Sequence, residues 1–211
     1  MNNLQVSEVH YRESSYDTFE RWSSYWYQIE SIRKANPQTL LEIGVGTGLT
    51  TWYARNRLGI DVTTCDFDAS LQPDVVADVR SLTEAFPDRQ FEMGAAFQVL
   101  EHLPFSEFPL CIEQISRLVT TSATISLPHA GWRWGFSARI RSHVWRFGYT
   151  LAKPRSWDFH HEGRGEHYWE IGVKGTSLRA VKKVLEQQFH LDDCYFVPEH
   201  PYHCFFELSK S

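Results

Sequence analysis

The stretch Thr39-Leu40-Leu41-Glu42-Ile43-Gly44-Val45-Gly46-Thr47-Gly48-Leu49 decides how the chain reads. Residues 39–43 form a short apolar run that stops at a glycine, as a buried strand does, and residues 49–58 continue with helical spacing straight out of the turn. A strand that breaks into glycines and restarts as a helix lets a ligand approach the backbone, and the helix start offers it unpaired N–H groups. The glycines are spaced Gly44-x-Gly46-x-Gly48, with Glu42 two residues ahead. A dinucleotide fingerprint, G-x-G-x-x-G, would need glycine where Leu49 stands, which disfavours a nicotinamide-dinucleotide reading without removing it.

Working outward, strands are expected over residues 60–67, 74–79, 90–99 and 122–127. Between the last two, Ser106 is placed to cap a helix carrying Phe108, Cys111, Ile112, Ile115 and Leu118 on one face. Upstream, Phe19, Trp22, Tyr25, Trp26, Ile29 and Ile32 mark an amphipathic helix over residues 16–35, stopped by Asn36-Pro37. Downstream, Leu178, Val181, Val184, Leu185 and Phe189 mark a last helix before two strands at 191–197 and 203–208. The link Pro198-Glu199-His200-Pro201 has no room for a crossover helix, so those strands must be antiparallel neighbours. Strands alternating with helices predict an α/β, doubly wound fold with a mostly parallel sheet.

Open sheets of this kind bind ligands at the carboxyl ends of their strands. Three strand ends carry suitable groups. Beyond the glycine turn, Asp66 ends the second strand, where a carboxylate accepts from ribose hydroxyls, and Phe67 beside it offers a flat face to a purine. Asp78, with the Val79 N–H alongside, ends the third and can accept from an exocyclic amine.

In this order, residues 42–48, 64–68, 77–79 and 98–103 (Gln-Val-Leu-Glu-His-Leu) resemble the successive motifs of the class I S-adenosylmethionine-dependent methyltransferases, in particular small bacterial members with V-L-E-H after the fourth strand. The resemblance covers residues 40–127 well and the closing elements more loosely. It implies a Rossmann-like seven-stranded sheet whose last strand is antiparallel. It also implies an S-adenosylmethionine cofactor, with S-adenosylhomocysteine as product. The turn of Gly44, Gly46 and Gly48, with Glu42, would hold the methionine portion, Asp66 the ribose, Phe67, Asp78 and Val79 the adenine, and the Phe97-Gln98 backbone the methionine amino group. Glu101-His102 is often structural in such relatives. No carboxylate cluster or N-P-P-Y follows the fourth strand, and His160-His161 in a loop are not expected to converge, so no metal site is predicted.

The chain of 211 residues has a net charge of −5, which argues against a dedicated nucleic-acid binder. Cys65, Cys111, Cys194 and Cys204 form no C-x-x-C pair, and residues 1–12 are polar, so a reducing, cytoplasmic setting is expected. The whole reads as one domain: a helical cap (1–37), a cofactor-binding core (38–130), a basic aromatic insertion (131–170) and closing elements (171–211). The insertion gathers Arg133, Arg139, Arg141, Arg146, Lys153, Arg155 and Arg164 with Trp132, Trp134, Trp145 and Trp157. Trp132, Phe136, Ile140, Val144, Phe147 and Leu151 recur at helical spacing there, predicting an amphipathic helix. It would serve as a lid, as a pocket for an acidic acceptor, or as a contact for an anionic membrane surface carrying a lipid-linked acceptor. His129 and His167 are the candidate bases, because imidazoles titrate near neutrality. Trp132, Arg133, Tyr168 and Trp169 are the candidate acceptor contacts. Transfer to oxygen is favoured over nitrogen.

Overall fold

A computed structural model of the chain describes residues 18–140, 143–152 and 167–210. The first helix, α1 (Phe19–Ala35), starts where the Thr18 side chain accepts the Arg21 N–H. It stops at Asn36, whose left-handed backbone (φ 48°) returns its N–H to Ile32 O, with Pro37 next. There follow β1 (Thr39–Ile43) and α2 (Leu49–Tyr53), which widens into a π-helical turn over Ala54–Leu58. Next come β2 (Asp61–Asp66), β3 (Val75–Val76), α3 (Leu82–Ala85) and β4 (Phe91–Phe97). Then α4 (Phe108–Leu118) leads into β5 (Val119–Pro128), β6 (Gly131–Ile140) and β7 (His143–Ala152). The described chain closes with α5 (Leu178–Leu185), β8 (His190–Val197) and β9 (His200–Ser209).

Seven strands form one sheet in the order β3-β2-β1-β4-β5-β9-β8. β1 to β5 are mutually parallel, and β9 runs antiparallel to both β5 and β8. The doubly wound sheet with an antiparallel last strand is therefore present. The link from β8 to β9 is too short for the crossover that a parallel pair needs, so β9 runs back along β8, and it lies between β5 and β8. Strand order reverses between β1 and β4, and the glycine turn after β1 lies at that switch point. β1 is buried on both faces, which is why it reads as an unbroken apolar run. Leu41 and Ile43 join the larger core cluster with Ile112, Ile115 and Phe206, while Leu40 joins a smaller one with Ile32 and Met93. Among the described residues, no helix is long and apolar enough to cross a membrane.

Two expectations are corrected. The strand over 74–79 shrinks to Val75–Val76 because its flanking aspartates bond to backbone instead. Asp74 accepts the Thr64 N–H at 2.7 Å, and Asp78 caps a 3₁₀ turn through the Arg80 N–H at 2.8 Å. The predicted helix through Trp132 and Leu151 is instead the hairpin β6–β7, pairing Trp132 with Leu151, Trp134 with Tyr149 and Phe136 with Phe147. The spacing of four shared by Trp132, Phe136, Ile140 and Val144 is also a multiple of two, so it does not separate helix from strand. Aromatic and β-branched residues, with Gly135 and Gly148 penalised in a helix, decide for the strand.

Gly94 of β4 lets α4 and the start of β5 close down on the sheet: a Cβ there would lie 2.9 Å from Val119 Cγ1 and 3.3 Å from Ile115 Cγ2. Gly94→Ala is expected to destabilise the fold by roughly 1–3 kcal/mol, read as a lower urea midpoint at unchanged slope.

Candidate active site

A cavity of about 530 Å³ opens at the carboxyl ends of β1, β2 and β4. The turn after β1 forms one wall. Gly44, Gly46 and Gly48 have φ of 84°, 51° and 72°, conformations that side chains disfavour, and a Cβ on Gly44 would collide with Val99 Cγ2. The turn is anchored to β2. Gly44 N–H donates to Cys65 O at 2.8 Å, and Val45 N–H to Asp66 Oδ2 at 2.9 Å. Asp66 Oδ1 accepts the Asp68 N–H at 2.9 Å. Burial raises the Asp66 pKa, and those N–H bonds from Asp68 and Val45 oppose the rise.

Below the turn, buried Glu42 accepts a hydrogen bond from the Thr51 hydroxyl. Burial pushes its pKa up to about 7, against the pull of Thr51 and Arg55. Phe67 is half exposed beside Asp66, and Val79 is buried while contributing to the cavity wall. Asp78 lines the cavity, but its carboxylate is clamped by Arg80, at 2.9 Å to Nε and 2.5 Å to Nη2, which holds its pKa below the usual range. At the end of β4, Phe97 lines the cavity and Gln98 has φ 58°. The Gln98 backbone N–H donates to Ser126 O at 3.0 Å, which supports this uncommon conformation.

The helix α1 leans over the mouth. Arg21, Tyr25 and Gln28 line it; Tyr25 hydroxyl bonds Thr47 Oγ1 at 3.0 Å, and Gln28 Oε1 accepts from Thr50 Oγ1 at 2.8 Å. Ser24 Oγ meets His203 Nδ1 at 2.7 Å, tying the helix to β9.

The cavity is also lined by His102, His167, Tyr168, Tyr202 and His203. The His102 and His167 rings stand edge to face with centroids 4.9 Å apart. His167 Nδ1 lies 3.2 Å from Glu170 Oε1, to which Tyr202 hydroxyl donates at 2.5 Å. Its Nε2 points toward Glu101, 3.9 Å from Oε1. Glu101 is fully buried, and burial pushes its pKa up to about 7 against the attraction of His167.

Of the residues singled out from sequence, the cavity thus gathers Glu42, Gly44, Gly46, Asp66, Phe67, Asp78, Val79, Phe97, Gln98, His167 and Tyr168. Gly48 caps α2 just behind them. Three placements differ from expectation. His129 does not line the cavity: it is 3% exposed, packs edge-on against Phe196 and has its pKa lowered by burial. Trp169 points into the core between Phe105 and Phe108 and donates to Leu103 O at 2.9 Å. Trp132 is exposed on β6 and is not among the described residues around the cavity; the Arg133 side chain lies outside the described atoms. Thr47, Thr50, Tyr202 and His203 were not legible. Each acts through a partner distant in sequence, and no local pattern marks such pairs.

The family model for a methyltransferase domain matches residues 41–127, the segment that builds this cavity wall from β1 to β5. Over that segment the chain is similar to methyltransferase domains. Solved structures share this methyltransferase fold at low identity. Magnesium protoporphyrin IX methyltransferase from Synechocystis PCC 6803, solved with bound S-adenosylmethionine, is 12% identical with a TM-score of 0.62, over 98% of this chain and 93% of that one. An S-adenosylmethionine-dependent methyltransferase from Clostridium acetobutylicum is 10% identical with a TM-score of 0.61, over 96% of each chain. Among curated proteins, autophagy-related protein 2 of Cryptococcus neoformans var. neoformans serotype D is 25% identical over 146 residues. That match takes in 64% of this chain and only 8% of the length of the fungal protein.

Glu42 provides a test of the packing beneath the turn after β1. Its folded pKa of about 7 stands above the ordinary 4.5, so the stability it contributes is complete below pH 4.5 and is lost as pH rises through 7. Glu42→Gln removes that loss. Its thermal midpoint should exceed that of the wild type at pH 8, by the equivalent of up to about 3 kcal/mol, with the gap closing toward pH 4.5.

Proposed function

We propose that the protein transfers a methyl group from S-adenosylmethionine to a small or lipid-linked acceptor, at an oxygen atom. One observation carries the reading: a single cavity is lined both by the glycine turn, Asp66 and Phe67 and by paired imidazoles, His102 and His167. The residues fit the cofactor. The positive-φ turn keeps its backbone open to close approach, and each Asp66 oxygen accepts one N–H, which leaves lone pairs for ribose hydroxyls. Gly44, Gly46 and Gly48, with Glu42 beneath, hold the methionine portion. Phe67 and Val79 hold the adenine, with Asp78 as far as Arg80 leaves it free to accept. The Phe97-Gln98 backbone meets the amino group. The cofactor supplies an activated methyl on a sulfonium. The chain aligns the acceptor and excludes water. His167, steadied at Nδ1 by Glu170, takes the hydroxyl proton at Nε2.

Calorimetric titration with S-adenosylhomocysteine tests the cofactor half: the wild type binds, and Asp66→Ala weakens binding at least tenfold, about 1.4 kcal/mol. Binding of NADH in its place would return the chain to the dinucleotide reading. His167→Ala should leave that affinity intact and lower product release from a hydroxyl acceptor by about 100-fold.

The proposal extends to the setting. The protein works in the cytoplasm on a small-molecule or lipid-linked acceptor, possessing no nucleic-acid partner, and touches anionic membrane through the β6–β7 hairpin. Trp132, Trp134, Phe136 and Trp145 are each more than half exposed there, on a segment rich in arginine. Binding to phosphatidylglycerol vesicles should fall as salt is raised and be lost in Trp134→Ala/Phe136→Ala; equal binding by that variant would refute the contact.

A further inference from the structure

Glu101 has no exposed surface, and neither of its carboxylate oxygens has a hydrogen-bond partner among the described residues. A buried carboxylate left in that condition is strongly unfavourable, so such groups are protonated, paired or bound to a cation. The groups around it favour a cation. His102 follows it directly, and His167 arrives from the segment preceding α5. One ligand atom from each of Glu101, His102 and His167 can be chosen so that all three lie within 4.8 Å of one another.

The separation of 3.9 Å between His167 Nε2 and Glu101 Oε1 is too long for a hydrogen bond. Two atoms that share a metal at about 2.1 Å each lie roughly 3.0–3.4 Å apart, so an inward shift of about half an ångström would seat both on one ion. The far side of His167 is built to match. Its Nδ1 lies 3.2 Å from Glu170 Oε1, and Tyr202 holds that carboxylate through a 2.5 Å bond. A carboxylate on one ring nitrogen fixes the tautomer and orients the lone pair of the other, as is general for metal-bound histidines. In the neutral ring with Nδ1–H on Glu170, Nε2 presents a lone pair toward the Glu101 carboxylate, an arrangement that a cation between them would satisfy.

We propose that Glu101, His102 and His167 bind a first-row divalent transition-metal cation, with its open coordination positions turned into the cavity. Two imidazoles and one carboxylate suit such an ion, and His102 and His167 line the cavity directly. The site was not expected from sequence, because its third ligand stands 65 residues beyond the Glu101-His102 pair. The inference deepens the proposed function and rests on it for one consequence. With the cation bound, the His167 lone pair is a ligand and no longer the base assigned above; an acceptor oxygen in the open position would become more acidic and lose its proton to solvent instead.

The test is titration of chelator-treated protein with Mn²⁺, followed by electron paramagnetic resonance, and with Zn²⁺ by calorimetry, with S-adenosylhomocysteine affinity measured on the same samples. One cation per chain is expected, with affinity falling at least about tenfold in Glu101→Gln and in His167→Ala while both keep the wild-type circular dichroism. Metal-free Glu101→Gln should melt no lower than the wild type, because the amide removes a buried charge. The cation should raise the wild-type midpoint and leave that of Glu101→Gln unchanged. Failure of the wild type to bind either ion at about 1 mM, or equal affinity in both variants, overturns the site. Cofactor-product binding retained in that case leaves the methyltransferase reading standing; folded wild type that takes the cation and not the product overturns that reading alone.

Discussion

The Asp66 carboxylate joins the sheet to the ligand cavity. One oxygen accepts the Val45 N–H from the turn after β1, and the other accepts the Asp68 N–H from its own strand end. β1 and β2 run parallel in register, Ile43 beside Cys65, so both end at the same level and the turn has to fold over the neighbouring strand. That geometry requires the left-handed glycines, and Val99 closing against Gly44 leaves no room for a side chain. The constraint makes a rigid cradle from backbone groups, the part of a binding site with the least conformational freedom to lose.

The cradle is held from above by the start of the chain. Ser24, Tyr25 and Gln28 lie within about one turn of α1 and reach His203, Thr47 and Thr50, respectively. First helix, first turn and last strand therefore meet through side-chain hydrogen bonds in a partly or fully buried setting, where such bonds also specify orientation. Tyr202 belongs to the same strand end and holds Glu170 behind His167. The α1 contact beside the turn and the Glu170 contact behind His167 are thus both made by one strand, β9.

Two buried glutamates show how surroundings give one residue type different work. Burial lifts both to about 7. Glu42 has the Thr51 hydroxyl as a donor and sits under the turn as a structural acceptor. Glu101 has no such donor and instead faces two imidazoles. The first is satisfied within the fold, and the second leaves electrostatic demand directed at the cavity.

Much of this molecule follows from local sequence. The run 39–43 with its glycines, the two closing strands with their short link, and the Asp66-Phe67 pair were legible because each rests on a short-range rule: a buried parallel strand is apolar throughout, a short link forbids a crossover, and ligands collect at strand ends. The hairpin β6–β7 was not, since aromatic residues four apart satisfy helix and strand periods alike, and only composition (the aromatic and β-branched residues with Gly135 and Gly148) argues against the helix. His129 and His167 looked equivalent as single residues. Packing against Phe196 took the one into the core, and the Glu170–Tyr202 pair turned the other toward the cavity. The sequence alone determined the order of the elements and the cofactor-facing edge, because both are encoded within a few residues. Only the tertiary structure decided the cluster around His167, because Glu101, His102, His167 and Tyr202 come together through the pairing of β5 with β9 and the return of the chain before α5, and no spacing in the sequence records that approach.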